Sequence, residues 1–273
     1  MSDVDRPLTA GITLGVVFLP STAPERLEGV ARQADRSGLT EIWLWEDCFK
    51  ESGIAPAAAV LAWTARVRVG IGLLPVPLRN VALTAMEIAT LQRLFPSRVI
   101  AGIGHGVQEW MGQVGARPES PMTLLREYTT ALTALLAGEH LTTSGRYVHL
   151  DDVALDWPPL EPAPLLVGAV GPKSLALAGE LSDGTILTGG STPEQAAAAR
   201  AIIDPAAAAA GRSRPSLVAF LEPEAGADAA TVADGVRRLA DAGADTVAVQ
   251  PDPDESDLEG FVRFIAEDVA AQL

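Results

Sequence analysis

Eight short apolar runs recur along this chain, and each is followed by a stretch with helical spacing. The runs cover residues 12–19, 41–45, 68–74, 99–103, 165–170, 184–187, 216–221 and 245–250. Most are continuously apolar, with little polar alternation, as expected of strands covered on both faces. The intervening stretches carry helix punctuation. Thr22-Ala23-Pro24-Glu25 reads as a capping box with proline at the first helical position. Leu27, Val30, Ala31 and Ala34 follow at helical spacing, and Gly38 closes that helix. Asn80 is placed to cap a helix running to about Leu94, and Ser120-Pro121 opens another that ends before Gly138. Ser191-Thr192-Pro193-Glu194 starts a further helix. Val232, Val236 and Leu239 mark one ending at Gly243, and Leu258, Val262, Ile265 and Val269 mark the last.

Strand and helix in strict alternation predict a parallel sheet with helical cover. Eight units predict closure into a (β/α)8 TIM barrel, with its chemistry at the C-terminal ends of the strands. An open, doubly wound sheet would call for a glycine-rich turn after its first strand, and here that turn is Pro20-Ser21-Thr22. Residues 1–273 read as one such domain. The interval from Gly138 to Pro164 is irregular and reads as a small insertion before barrel strand five. In it, residues 141–143 and 146–150 could pair as a hairpin across Ser144-Gly145.

Charge narrows the partners. The formal net charge is −15, without a local basic cluster, which excludes nucleic acid and anionic lipid as expected partners. Cys48 is the sole cysteine, so the chain forms no internal disulfide and no site needing two thiolates. No apolar run approaches the ~18 residues that span a bilayer. The amino terminus has no charged-then-apolar leader, so the expected location is cytoplasmic.

Several strand ends are chemically unusual. Trp45-Glu46-Asp47-Cys48 follows strand two, Gly70-Ile71-Gly72-Leu73-Leu74-Pro75 lies in strand three, and Gly102-Ile103-Gly104-His105-Gly106 ends strand four. Gly171-Pro172-Lys173-Ser174 follows strand five, and Thr188-Gly189-Gly190 follows strand six. At residues 171–174 a helix begins, and free backbone N–H groups at the positive end of its dipole favour a phosphate. Ser174 adds a hydroxyl, and Lys173 is one of only two lysines in the chain. The alternative is a plain capped helix start. The glycine triplet is either a tight turn with close packing or room for a ligand. Asp47 is either a surface charge or a polar contact to a ligand. Trp45, Cys48, Trp110 and Met111 are candidate substrate walls or core.

In this order, the five strand ends resemble the bacterial luciferase-like oxidoreductases, whose barrels use reduced flavin mononucleotide (FMN) or the deazaflavin coenzyme F420. The resemblance spans nearly the whole chain and is closer to the F420-dependent branch. It implies that Gly104 and Gly106 make room for the cofactor's ribityl chain and phosphate, while His105 between them is either a cofactor contact or a solvent-facing residue. It further implies cofactor contacts at Asp47, Gly72, Leu73, Gly189, Gly190 and residues 171–174, a cis peptide bond at Gly72–Leu73, and a homodimer built on the helices after strands one to three. Two departures matter. Cys48 stands where many F420 enzymes carry a proton-handling histidine, so no acid–base role carries over. Val107 stands where one reductase branch carries glutamate, which argues against a sugar-phosphate dehydrogenase.

The leading reading is therefore an F420- or FMN-dependent oxidoreductase, transferring hydride between the cofactor and a small organic substrate. An FMN-dependent luciferase-like monooxygenase and a non-catalytic flavin-binding barrel are the alternatives. A metal- or lysine-dependent barrel lyase or isomerase fits poorly: His105, His140 and His149 do not show a ligand cluster, and Lys173 lies at a helix start rather than within a strand.

Overall fold

A computed structural model describes residues 11–273. The amino-terminal residues on which the expectation of no leader rests lie outside the described residues. The strands are β1 (Thr13–Phe18), β2 (Glu41–Leu44), β3 (Arg68–Pro75), β4 (Val99–Gly104), β5 (Leu141–Ser144), β6 (His149–Val153), β7 (Leu165–Gly168), β8 (Gly184–Ile186), β9 (Ser216–Leu221) and β10 (Thr246–Val249). The helices are α1 (Leu27–Arg36), α2 (Ile54–Trp63), α3 (Val81–Leu94), α4 (Gln108–Gln113), α5 (Pro121–Leu136), α6 (Pro172–Leu181), α7 (Pro193–Ala209), α8 (Ala229–Asp241) and α9 (Leu258–Arg263). Eight strands close in the order β1-β10-β9-β8-β7-β4-β3-β2, all in parallel, which is the barrel the alternation predicts. Closure runs through β1 and β10, with Thr13 opposite Thr246.

The insertion is the antiparallel pair β5–β6, but its second arm begins at His149 rather than Arg146. Glu127 of α5 explains the shift. Its carboxylate accepts the backbone N–H groups of Arg146, Tyr147 and Val148, at 2.9, 2.8 and 3.1 Å, and holds them as a turn.

Most helix punctuation appears as expected. Asn80 accepts from the N–H of Ala82 at 2.9 Å, and Thr192 and Gln195 form a reciprocal capping box. The exception is Thr22. Pro24 opens a 3-10 turn at its favoured first position, which makes Ala23 the cap residue, without a side-chain bond. The Gly72–Leu73 peptide is cis, as the resemblance implies, and the β3–β4 register shifts between Ile71 and Leu74. A second cis peptide, Cys48–Phe49, was not anticipated.

The barrel interior is filled. Trp43 and Phe220 meet edge-to-face with ring centroids 5.6 Å apart, and Trp45 caps Phe220 at 5.1 Å. Full burial of Trp43 and Phe220 contributes on the order of 2–6 kcal/mol of transfer free energy each. The Trp43 indole N–H donates to the buried Glu41 carboxylate at 2.9 Å, and Arg68 lies 3.3 Å from the same carboxylate. A packed axis leaves the strand ends as the place for a ligand.

Candidate functional site

The C-terminal strand ends surround a cavity of about 530 Å³, within the usual range for a cofactor or small-molecule site. From the end of β2, Trp45 and Asp47 reach it half-buried. The Asp47 side chain makes no hydrogen bond within the described residues. Burial raises its pKa above the ordinary value, with Lys50 opposing.

Beside it, Glu46 is buried and fully engaged. It accepts from Arg79 Nη2 at 2.8 Å, from Arg79 Nη1 and from the Gly53 N–H. Arg79 also lies 3.4 Å from Glu87. This cluster ties the loop after β2 to the loop after β3 at the cavity wall.

β3 contributes Gly72 and Leu73, and the segment after β4 contributes His105 and Gly106. Burial lowers the His105 pKa, so the imidazole is neutral near pH 7. Its Nδ1 is buried without a partner among the described residues, as is Trp45 Nε1.

The glycine triplet serves packing first. A Cβ at Gly102 would come within 2.4 Å of the Ile71 carbonyl oxygen, and one at Gly104 within 2.6 Å of a Leu73 methyl. Gly106, at φ +64°, turns the chain over Pro75 and Met111 and itself faces the cavity.

On the far side, Gly171 and Ser174 line the cavity where α6 begins. The Ser174 hydroxyl donates to the Gly171 carbonyl at 2.9 Å. The backbone N–H groups of Lys173 and Ser174 have no acceptor among the described residues, as expected of a helix's first turn. Gly189 completes that rim, with Gln250 behind it accepting the Gly190 N–H at 3.2 Å.

Six candidates lie off the cavity. Gly104 is covered by Leu73, and Met111 is wholly buried beneath Gly106. Cys48 lies beyond Asp47, and Gly190 forms the turn past Gly189. Pro172 and Lys173 stand exposed at the helix start. Trp110 does form a wall, whereas Met111 belongs to the core. The sequence reading missed Glu46, Arg79, Leu187 and Phe220. An acid adjoining Asp47 was the one available sign of the first.

Fold and cavity together define a parallel (β/α)8 barrel with an open cavity at its strand ends. The family model described as luciferase-like monooxygenase matches residues 9–268, and the chain belongs to that family. It is 32% identical over 177 residues to 5,10-methylenetetrahydromethanopterin reductase of Methanolobus tindarius, covering 64% of this chain and 54% of that protein. It is 36% identical over 183 residues to the F420-dependent glucose-6-phosphate dehydrogenase of Kineococcus radiotolerans, covering 62% and 53%. The chain thus spans about half the length of these relatives. Among solved structures, the F420-dependent tetrahydromethanopterin reductase of Methanopyrus kandleri superposes with a TM-score of 0.83 at 20% identity, covering 96% of this chain and 99% of that one. A type II Baeyer-Villiger monooxygenase from Pseudomonas putida, in complex with FMN, superposes at 0.80 with 16% identity, covering 97% and 99%. No helix among the described residues is long and apolar enough to cross a membrane.

Proposed function

We propose that this chain is an oxidoreductase that holds coenzyme F420, or FMN in its place, in the strand-end cavity and acts there on a small organic molecule. The observation that carries this reading is the start of α6, where Ser174, on the lining of an aromatic-walled cavity, has a backbone N–H without an acceptor among the described residues, with that of Lys173 next to it at the outer rim. That donor set suits a phosphate. The rest of the cavity suits a flat ring system: Leu73 and Ile186 are apolar, Trp45 is aromatic, and Asp47 is a free acceptor. When bound, the cofactor supplies the hydride chemistry. The chain's own residues bind and orient. The α6 start anchors the anionic tail, Asp47 offers a carboxylate to ring N–H groups, and neutral His105 presents an imidazole at the wall. The F420-dependent relatives favour F420, and the FMN-bound neighbour keeps FMN as the alternative.

Equilibrium titration of the purified protein with each cofactor, followed by absorbance, tests the reading. Micromolar binding of either supports it, and binding of neither refutes it.

The same proposal treats the chain as one cytoplasmic barrel unit that pairs as a homodimer. Support for pairing comes from α2, which is apolar on all sides, and from Leu83 and Met86, which stand exposed on α3. The outer face of α1 carries the Glu28–Arg32 ion pair and offers no such surface. Sedimentation at twice the chain's mass is the expected result.

A further inference from the structure

On the proposed reading the cavity receives two molecules, the cofactor and a second reactant, and the inference below rests on that reading. The charged groups on the lining are Glu46 and Asp47. Glu46 is consumed by Arg79 and Gly53, and Arg79 is in turn held between Glu46 and Glu87. No lysine or arginine lines the cavity among the described residues. His105 adds no charge near pH 7, because burial lowers its pKa.

Among the described residues the feature of the lining that suits a phosphate is the helix start of α6, and on the proposed reading the cofactor phosphate takes it; the unpartnered Trp45 indole N–H is a single neutral donor and no counter-charge. A second anion would face Asp47 and the −15 chain without a counter-charge, having shed its hydration shell. Away from α6 the wall is mostly apolar, with Trp45, Pro75, Val107 and Trp110, and its polar members besides the two acids are His105 and Thr188, neither of which supplies a positive charge to pair with an anion. We infer that the second reactant is an uncharged, largely apolar molecule, and that this cavity turns away phosphorylated sugars and carboxylates. In this it differs from what the name of the glucose-6-phosphate dehydrogenase relatives describes.

The test uses cofactor-loaded protein and three probes in calorimetric titrations: 4-methylcyclohexanone, 4-oxocyclohexanecarboxylate and glucose 6-phosphate. The neutral ketone should bind at least about tenfold tighter than the carboxylate, as expected when a buried charge goes unpaired. Glucose 6-phosphate should show no heat at concentrations that saturate with ketone. Val107 is exposed and lies on the wall, so Val107→Lys adds a cation without disturbing the core. That variant should gain about tenfold for the carboxylate and little for the ketone. Equal or tighter binding of either anion to the wild type overturns the inference, and so does absence of binding by all three. Failure of the cofactor itself to bind, seen before any probe is added, overturns the proposed function and this inference with it.

Discussion

Replacing Arg79 with methionine tests how much stability rests on one ion pair at the cavity rim. The two side chains are 13% and 7% exposed, and the guanidinium forks across both oxygens of Glu46. Removing the arginine leaves a buried carboxylate with the Gly53 N–H as its remaining donor. Breaking a buried pair from one side costs about 3–5 kcal/mol. Methionine retains much of the stem's packing, so a cavity adds little. Unfolding entropy of ~2.1 cal/mol/K per residue makes each kcal/mol worth about 1.7 °C in a chain of this length, so Tm should fall by roughly 5–9 °C. Adding Glu46→Leu removes the stranded charge. It orphans the Gly53 N–H at a cost of about 1–3 kcal/mol, so the double variant should be more stable than Arg79→Met alone. Urea unfolding of all four members of the cycle gives the coupling energy. A double variant as unstable as the sum of the single ones would refute the argument. So would a loss below ~1 kcal/mol for Arg79→Met, the size of an exposed pair.

Asp47→Asn should raise thermal stability near neutral pH. The raised carboxyl pKa contributes stability that is complete below the ordinary 3.8 and is lost as pH rises through the folded value. Melting curves should therefore show the asparagine variant's advantage vanishing at acid pH, and a constant advantage would count against it. Gly102→Ala should cost about 1–3 kcal/mol or more, because the new methyl meets the Ile71 backbone at 2.4 Å, and chemical denaturation reads the loss. Lys173→Glu should move two measurements in opposite directions. An acidic residue in the first turn of α6 stabilises the helix by about 0.3–1 kcal/mol, while it weakens cofactor binding in the absorbance titration. A gain in both would remove the α6 start from the binding proposal.

The barrel was legible because its strands are buried on both faces, so their apolar runs stand out against amphipathic helices such as α1. α2 carries no such signal, because a helix apolar on all sides has no period to read. At Thr22 two local signals competed, and proline's fixed φ prevailed over the hydroxyl. The Glu46–Arg79 pair was invisible for another reason. Its members are 33 residues apart and meet only because β2 and β3 are neighbours in the barrel. Gly102 and Gly104 were ambiguous in kind: a glycine announces that space is needed, not which neighbour takes it. Lys173 illustrates the converse, a charge read as part of the site that the fold leaves on its outer edge.

The Leu73 side chain occupies the space over Gly104 on β4 and Gly168 on β7, where a Cβ would come within 2.6 and 2.1 Å of it. Three strands therefore share one socket, and a single β3 side chain fills it. A smaller residue at 73 would deepen the cavity by that volume with no movement of the barrel, and a bulkier one would make it shallower. A barrel built this way retunes its reach one codon at a time, as long as the two glycines are kept. Were either glycine lost, Leu73 would be pushed up into the cavity, and a mutation among the strands would be felt first as a change in what the protein accepts.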